Sequence, residues 1–183
     1  MEDEKVLIKR AKDGESSAFG LLYDNYLPKI YRFVLLKVSH REEAEDLTHQ
    51  AFLKAWENIG RYKDEGFPFS SWLYKIARNA VIDHYRSVKH SKTEANIDDF
   101  DEELSEFTAE NSFDKDIDRK IELRKISDGI KKLKEIEQDI IIMRFIDDLP
   151  HEEVASVIGK SVGATKLIQH RAIKKLQQIL KHD

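Results

Sequence analysis

Apolar side chains recur at helical spacing along most of this chain. Glu2–Lys12 reads as a short amphipathic helix with Val6, Leu7 and Ala11 inward, stopped at Gly14. A second helix starts at Ser16 or Ser17 and places Phe19, Leu22, Tyr26, Ile30, Phe33 and Val34 on one side. Pro28 should kink or divide it, because proline removes a backbone donor and clashes with the preceding turn. Ser39-x-x-Glu42 has the form of a capping box, and Ala44, Leu47, Ala51, Ala55, Trp56 and Ile59 then line one face of a third helix. The opposite face carries Glu42, Glu45, Asp46, His49 and Gln50, which periodicity alone makes an ordinary solvated surface. Ser71–Ser87, capped by Ser70 or Ser71, buries Trp72, Leu73, Ile76, Ala77, Ala80, Val81 and Tyr85. Further on, Ile121–Leu133 and the strongly apolar Ile136–Phe145 predict two more helices, the second of them buried.

The last stretch, Leu149–His182, has the pattern of a helix-turn-helix. Pro150 opens a short helix whose first turn holds Glu152 and Glu153, where the helix dipole favours acids. Val154, Ala155 and Ile158 face inward. Gly159 takes the turn, where a positive φ suits glycine. Ser161 caps a longer helix. From Lys160 to His182 there are six basic residues and no acid. A solvated helix normally mixes its signs, so this one is shaped for phosphate. The blander reading is a helical hairpin with a basic face.

Charge divides the chain. The net charge of −4 is opposite in sign to that expected of a nucleic-acid binder. Ser91–Asp118, however, holds eleven acids against two lysines, a net of −9, so the remaining residues carry +5. This acidic stretch has no helical period and few large aliphatics, and it cannot bury enough to order itself alone. Isolated Ile97, Phe100, Leu104, Phe107 and Phe113 are more than a spacer needs and suggest short docking points. The expected fold is therefore all-α: two small helical domains, 1–91 and 119–183, joined by an acidic flexible linker, 92–118. No cysteine is present, which excludes disulfides and thiolate zinc and is compatible with the cytoplasm. No apolar run approaches the ~20 residues of a membrane span, and the acidic start has no signal-peptide pattern.

The candidate chemistry is that of binding. Gly60–Ser71 is a loop with three aromatics, Tyr62, Phe67 and Phe69, which either folds back over the core or receives an unstacked base. Ser70–Lys92 carries five basic residues and one acid among Trp72, Tyr74 and Tyr85, the mixture that single-stranded nucleic acid requires; a helix facing an acidic partner would look similar. A nucleotide-binding glycine loop and an HExxH pair are both missing; His151-Glu-Glu lacks the second histidine. Glu45 and His49 are a spaced pair without companions. Neither an enzyme, a metal site nor a cofactor is expected.

Several motifs, in order and spacing, resemble the extracytoplasmic-function (ECF) sigma factors, the smallest sigma-70-type subunits of bacterial RNA polymerase. The resemblance covers nearly the whole chain. EEAEDLTHQAFLKAW (Glu42–Trp56) is similar to the region 2 helix that docks on the polymerase clamp. FSSWLYKIARNAVIDHYR (Phe69–Arg86) is similar to the helix that recognises and melts the −10 element. The helix-turn-helix resembles region 4, which reads the −35 element. The resemblance implies clamp contacts by Asp46, Leu47, His49 and Gln50. It implies −10 recognition by Asn79, Asp83 and Arg86, with Arg61, Phe67, Trp72, Lys75 and Arg78 beside them and a base flipped into the Arg61–Ser70 loop. It implies −35 contacts by Ser161, Lys166, Gln169, His170, Arg171 and Lys174. The implied partners are the clamp helices of the largest subunit, the flap of the second-largest, promoter DNA, and an anti-sigma factor, which no residue identifies. The implied function is to direct transcription initiation in the cytoplasm.

The chain departs from the family at two places. The usual Gln-Glu of the clamp helix is His49-Gln50, followed by Ala51. In the second helix of the pair, a commonly polar, basic pair is Leu167-Ile168, and a usual core leucine is Gln169. Either that helix is rotated, with Ile168 inward and Gln169 outward, or its base contacts are unusual. Two other classes remain: a stand-alone helix-turn-helix regulator, which has no use for a strand-melting surface, and a protein-interaction adaptor docking through the acidic tether and Leu167-Ile168.

Overall fold

In a computed structural model, which describes residues 3–64, 66–88 and 116–182, the first helix starts where Asp3 caps it. The Asp3 carboxylate accepts the Lys5 N–H at 3.1 Å, satisfying one orphan donor of the first turn. This helix, α1 (Glu4–Lys12), buries Leu7, Ile8 and Ala11, while Val6 is 43% exposed. The inner stripe is therefore turned slightly from Val6 towards Ile8. Gly14, at φ +91°, makes the turn.

α2 (Ser16–Val38) runs unbroken through Pro28. Pro28 and Asp24, whose carbonyl loses its helical partner, both face solvent. Water can satisfy that carbonyl, so the expected division does not occur. Nor does the expected capping box form. Ser39 adopts φ 61° and ends α2, its N–H donating to the Leu35 carbonyl at 2.8 Å. His40 alone then precedes α3 (Arg41–Asn58), with no side-chain cap. A serine in the left-handed C-cap of one helix cannot also take the extended conformation that starts the next.

A 3₁₀ turn, Ile59–Arg61, leads to the loop before α4 (Phe69–Val88). That helix begins two residues earlier than expected, so Ser70 and Ser71 lie inside it. Leu22, Phe33, Ala51, Leu73 and Tyr74 pack the centre of these four helices, with the Phe33 and Tyr74 rings edge to face at 5.4 Å. Tyr74 is fully buried, which removes it from the exposed aromatics expected to meet nucleic acid.

The second helical unit is α5 (Asp116–Lys131), α6 (Glu135–Ile141), α7 (His151–Ile158) and α8 (Val162–His182). α5 starts inside the stretch expected as linker; the hydrophobic residues at 97, 100, 104, 107 and 113 lie outside the described residues. The apolar run after Ile136 does not stay α-helical. It widens into a π turn, Ile142–Ile146, in which the Asp147 N–H donates to the Ile142 carbonyl at 3.1 Å. The turn buries Ile142 and Met143 but leaves Phe145 56% exposed. Gly129 lets α5 approach α8 closely; a Cβ there would sit 2.8 Å from Leu176 Cδ1.

The two units pack against each other through charged groups. Lys37, in α2, pairs with Asp139, in α6, and both side chains are completely buried. Arg78, in α4, donates to the other Asp139 oxygen at 2.6 Å and reaches Glu135 at 3.2 Å. The Lys37 ammonium also lies 5.6 Å from the centre of the Phe33 ring. Arg32 donates to Asp147 at 2.9 Å. Burial pushes the Asp147 carboxyl above the usual carboxylate range, and the Arg32 hydrogen bonds and charge offset this only in part. The Ser70 and Ser71 hydroxyls donate to Glu153 of α7 at 2.8 and 3.3 Å.

A buried ion group of this kind is weak as a source of net stability but severe when broken, because the remaining charge stays out of water. Asp139→Asn leaves the Lys37 and Arg78 charges facing a neutral amide. We expect it to lower the urea-measured unfolding free energy by about 3–5 kcal/mol, the range for breaking one partner of a buried pair. A loss below ~1 kcal/mol, the level of an exposed pair, would contradict the burial described here.

Candidate nucleic-acid interface

The loop before α4 is built on an aromatic cluster. Tyr62 and Phe69 are buried, with their rings 5.5 Å apart, and Trp72 packs on both at 5.2 and 5.4 Å. Two of the three loop aromatics thus fold back over the core. Phe67, 42% exposed, is the ring that faces out. The Tyr62 hydroxyl donates to the Phe67 carbonyl at 3.2 Å, and Gly66, at φ +86°, turns the chain before it. Burial raises the Tyr62 hydroxyl above its ordinary pKa, with the negative charge of Asp64 second, so it stays a donor. Arg61 is exposed at the start of the loop.

Along α4, Lys75, Asn79, Asp83 and Arg86 are exposed and recur at three- and four-residue spacing, forming one outward row. Arg86 and Asp83 are 3.5 Å apart but both open to water, a contact of small energetic weight. Trp72, half-buried against the Tyr62 and Phe69 rings, heads the same row, whereas Arg78 is half-buried on the side that meets the second unit. The Arg78 guanidinium is committed to Asp139 and Glu135 and is not available to a ligand in this arrangement. The C-terminal part of α4 is held by the Tyr85 hydroxyl, which donates to the Lys37 carbonyl, and by His84, 3.2 Å from Glu43.

On α3 the polar face is exposed as expected: Asp46, His49 and Gln50 all reach solvent. Leu47 does not. It is buried against the first unit, so its place in that face is to hold the helix that carries the others. Two adjoining grooves share Tyr23 and His49. One, of about 340 Å³, is bounded by Leu27, Pro28 and Glu45; the other, of about 390 Å³, is bounded by Phe19, Leu53 and Trp56. Leu53, 59% exposed, adds apolar surface beside the polar row.

The helix-turn-helix forms as its pattern implies. Gly159 takes φ 66° between α7 and α8, and the Ser161 hydroxyl accepts the Ala164 N–H at 3.2 Å. Thr165 and Ala172 are buried on the inner face of α8. Ser161, Lys166, His170, Arg171 and Lys174 are exposed. Lys175 instead pairs with Glu137 at 3.2 Å. The departures sort themselves by position. Ile168 is half-buried against the core, and Leu167 points out, 51% exposed. Gln169 is half-buried, and its side-chain oxygen is buried without a hydrogen-bond partner. It is therefore only partly turned outward, unlike the rotated alternative.

The residues that sequence reasoning missed are the charged ones between the units: Lys37, Asp139, Arg32, Asp147 and Glu153. Their signal was a charge inside an apolar run, Lys37 after Val34-Leu35-Leu36 and Asp139 before Ile140-Ile141-Ile142. Among the described residues, no three His, Cys, Asp or Glu side chains are grouped to hold a metal, and no helix is long and apolar enough to cross a membrane.

These two helical units correspond to two known segments. Residues 22–91 match the family description Sigma-70 region 2, and residues 129–178 match Sigma-70, region 4. The chain belongs to the sigma-70 family. Within it, the relatives belong to the ECF group. The chain is 35% identical over 177 residues to the ECF RNA polymerase sigma factor BldN of Streptomyces coelicolor, covering 97% of this chain and 66% of BldN. It is 31% identical over 181 residues to the ECF RNA polymerase sigma factor SigW of Bacillus subtilis, covering 97% of this chain and 96% of SigW. The fold is also that of CnrH, solved with the cytosolic domain of CnrY, at TM-score 0.75 and 22% identity over 99% of each chain. The sigma factor RpoE, solved with the anti-sigma factor NepR from Bartonella quintana, gives TM-score 0.66 and 22% identity, covering 90% of this chain and 98% of that one.

Arg171 is exposed and has no side-chain partner among the described residues, so at a nucleic-acid interface it would meet phosphate. Arg171→Ala is expected to weaken duplex DNA binding across sequences and to reduce the log–log salt slope by about 1. Lys175→Ala, which removes a side chain already paired with Glu137, should change the slope less. Equal slopes for wild type and Arg171→Ala would remove Arg171 from the interface.

Proposed function

We infer that this chain is a dissociable promoter-specificity subunit: it binds core RNA polymerase, reads the −35 and −10 elements, and helps to melt the duplex. The reading is carried by one observation. An exposed polar row on α4, with Lys75 and Arg86 in it, and an exposed cationic row on α8 lie in two units that match two different segments of one sigma family. A stand-alone regulator needs only the second row.

The roles follow the placement. Asp46, His49 and Gln50, held by Leu47, face the clamp helices of the largest subunit, and the second unit meets the flap of the second-largest. Asn79, Asp83 and Arg86, with Lys75 and Arg61, address the −10 strand, and Phe67 beside Trp72 receives a flipped base. Unstacking a base opposes binding by a few kcal/mol, which stacking on the ring must offset. Ser161, Lys166, His170, Arg171 and Lys174 address the −35 duplex, with Gln169 contributing from the edge. Melting is driven by binding energy alone. By likeness to relatives solved with anti-sigma factors, such a factor is a further partner. The place of action is that of the polymerase, the cytoplasm.

The closed packing of the two units is then the resting form. Elements named −35 and −10 are about 25 base pairs apart, or ~85 Å at ~3.4 Å per pair. A compact chain of this length has a radius of gyration of about 16 Å and a diameter near 40 Å. One closed body cannot reach both elements. The chain between Val88 and Asp116 has 27 residues, a contour length of roughly 90 Å, enough to let the units part. Parting also frees Arg78 from Asp139 and Glu135 and returns it to the row beside Lys75 and Asn79.

The test is reconstituted transcription with core polymerase on genomic fragments. The wild-type chain is expected to direct initiation at defined positions. Asp46→Ala should require about tenfold more protein for half-maximal transcription with an unchanged melting curve. No stimulation on any fragment would overturn the reading.

A further inference from the structure

A large apolar side chain stands among the cations of α8, and neither packing nor any contact described above accounts for it. Leu167 is 51% exposed. At 3.6 residues per turn it projects about 200° round the axis from Thr165, which is buried with Ala172 on the inner face. Gly163 and Lys174 lie on the same outward crest. Lys166 and His170 flank it on one side and Arg171 on the other. All of these are exposed, and Lys160–His182 holds no acid. Gly163 has no neighbour that requires it: a Cβ there would meet nothing within 4 Å. Glycine weakens a helix, so its place on the crest is explained from outside the chain. The missing side chain lets a ligand reach the helix backbone beside Leu167.

We propose that Leu167 is a specificity-determining residue: it reads one thymine of the −35 duplex through the 5-methyl group in the major groove, and Gly163 lets the helix come close enough for that contact. This rests on the promoter-specificity reading above. The flanking cations set the orientation. An α-helix with its side chains is about 10–12 Å across and fills a major groove about 12 Å wide. Lys166 and Arg171, about 140° apart round the axis, then meet phosphates of the two walls, and the crest between them faces the base edges. The leucine side chain has no atom that donates or accepts a hydrogen bond. Of the features that base pairs present in the major groove, only the thymine methyl is apolar. Against the amino group of cytosine or adenine, or the O6 of guanine, the same side chain would displace water without replacing its hydrogen bond. Leu167 thus favours thymine and disfavours the alternatives at one position, and it adds nothing to the phosphate contacts. A docking surface for an acidic protein would use the same cations, but it would have no preference for a methyl group on DNA.

The test uses holoenzyme assembled from core polymerase and the full chain, on the promoter that reconstituted transcription identifies. Each −35 thymine in turn is replaced by deoxyuridine, which removes only the 5-methyl group. Wild-type holoenzyme should bind about fourfold more weakly at one position, the equivalent of ~0.8 kcal/mol for one methyl-sized group. Leu167→Ala should bind the thymine and uracil templates at that position equally. Its salt slope should stay that of the wild type, because a neutral contact releases no counterions. Leu167→Met should keep the preference. Gly163→Ala introduces a better helix former, so the reduced preference expected of it reports lost approach and not lost folding. Equal wild-type binding at every substituted position would overturn the proposal, as would a preference that Leu167→Ala retains or a −35 element built of G·C pairs alone. Weaker binding of Leu167→Ala to core polymerase without DNA would also overturn it, assigning the leucine to a protein surface instead. If wild-type holoenzyme selects no promoter, the promoter-specificity reading fails first, and the role of Leu167 with it.

Discussion

One carboxylate, that of Asp139, lies between two cations from the other half of the chain, Lys37 and Arg78, and the Lys37–Asp139 pair is sealed from water. Removing such charges from solvent opposes folding by several kcal/mol each, and only close, complementary contacts offset it. The group therefore makes the packing of the two units conditional: complete, it is tolerated; with one member missing, it is strongly unfavourable. The Arg32–Asp147 pair and the Ser70/Ser71–Glu153 hydrogen bonds extend the same polar seam on either side. An apolar contact of the same area would hold the halves together without this dependence on partners.

That seam gives Arg78 two incompatible uses. Closed, its guanidinium is neutralised by Asp139 and Glu135; open, it rejoins the exposed α4 row. On the proposed function, the acids of the second unit thus occupy the place proposed for phosphate. Solvation also favours this exchange in one direction. When the halves separate, Lys37 and Asp139 regain water, which reduces the penalty of breaking their contact. A polymerase surface needs to supply only the remainder.

Most helices are legible in the sequence because burial imposes a 3.6-residue period that side chains report directly. α3 shows this in both directions: Ala44, Ala51 and Ala55 are inside, and Asp46, His49 and Gln50 are outside. The helix-turn-helix is legible for another reason, because Gly159 and Ser161 each satisfy a backbone requirement within one turn. Local signals fail where tertiary context reassigns a residue. Ser39 has the sequence of an N-cap but ends the previous helix. Ser70 and Ser71 also look like caps, but they bond Glu153, 83 and 82 residues away. Tyr74 reads as an exposed aromatic among basic residues and is core. The interaction between the units has no periodic signature, since its members are separated by 57 to 115 positions; the trace it leaves is a charge where an apolar residue would fit.

On the proposed function, the free chain is closed and the promoter-bound chain is open. The protein has no cysteine, so Glu57→Cys in the first unit and Gln178→Cys in the second give a uniquely labelled pair for distance measurement by pulsed electron spin resonance. In the free chain the separation should fall within the roughly 40 Å of a compact body of this length. With core polymerase and promoter DNA it should increase towards the ~85 Å between the two elements. A distribution unchanged by polymerase and DNA, or already long in the free chain, would contradict the account.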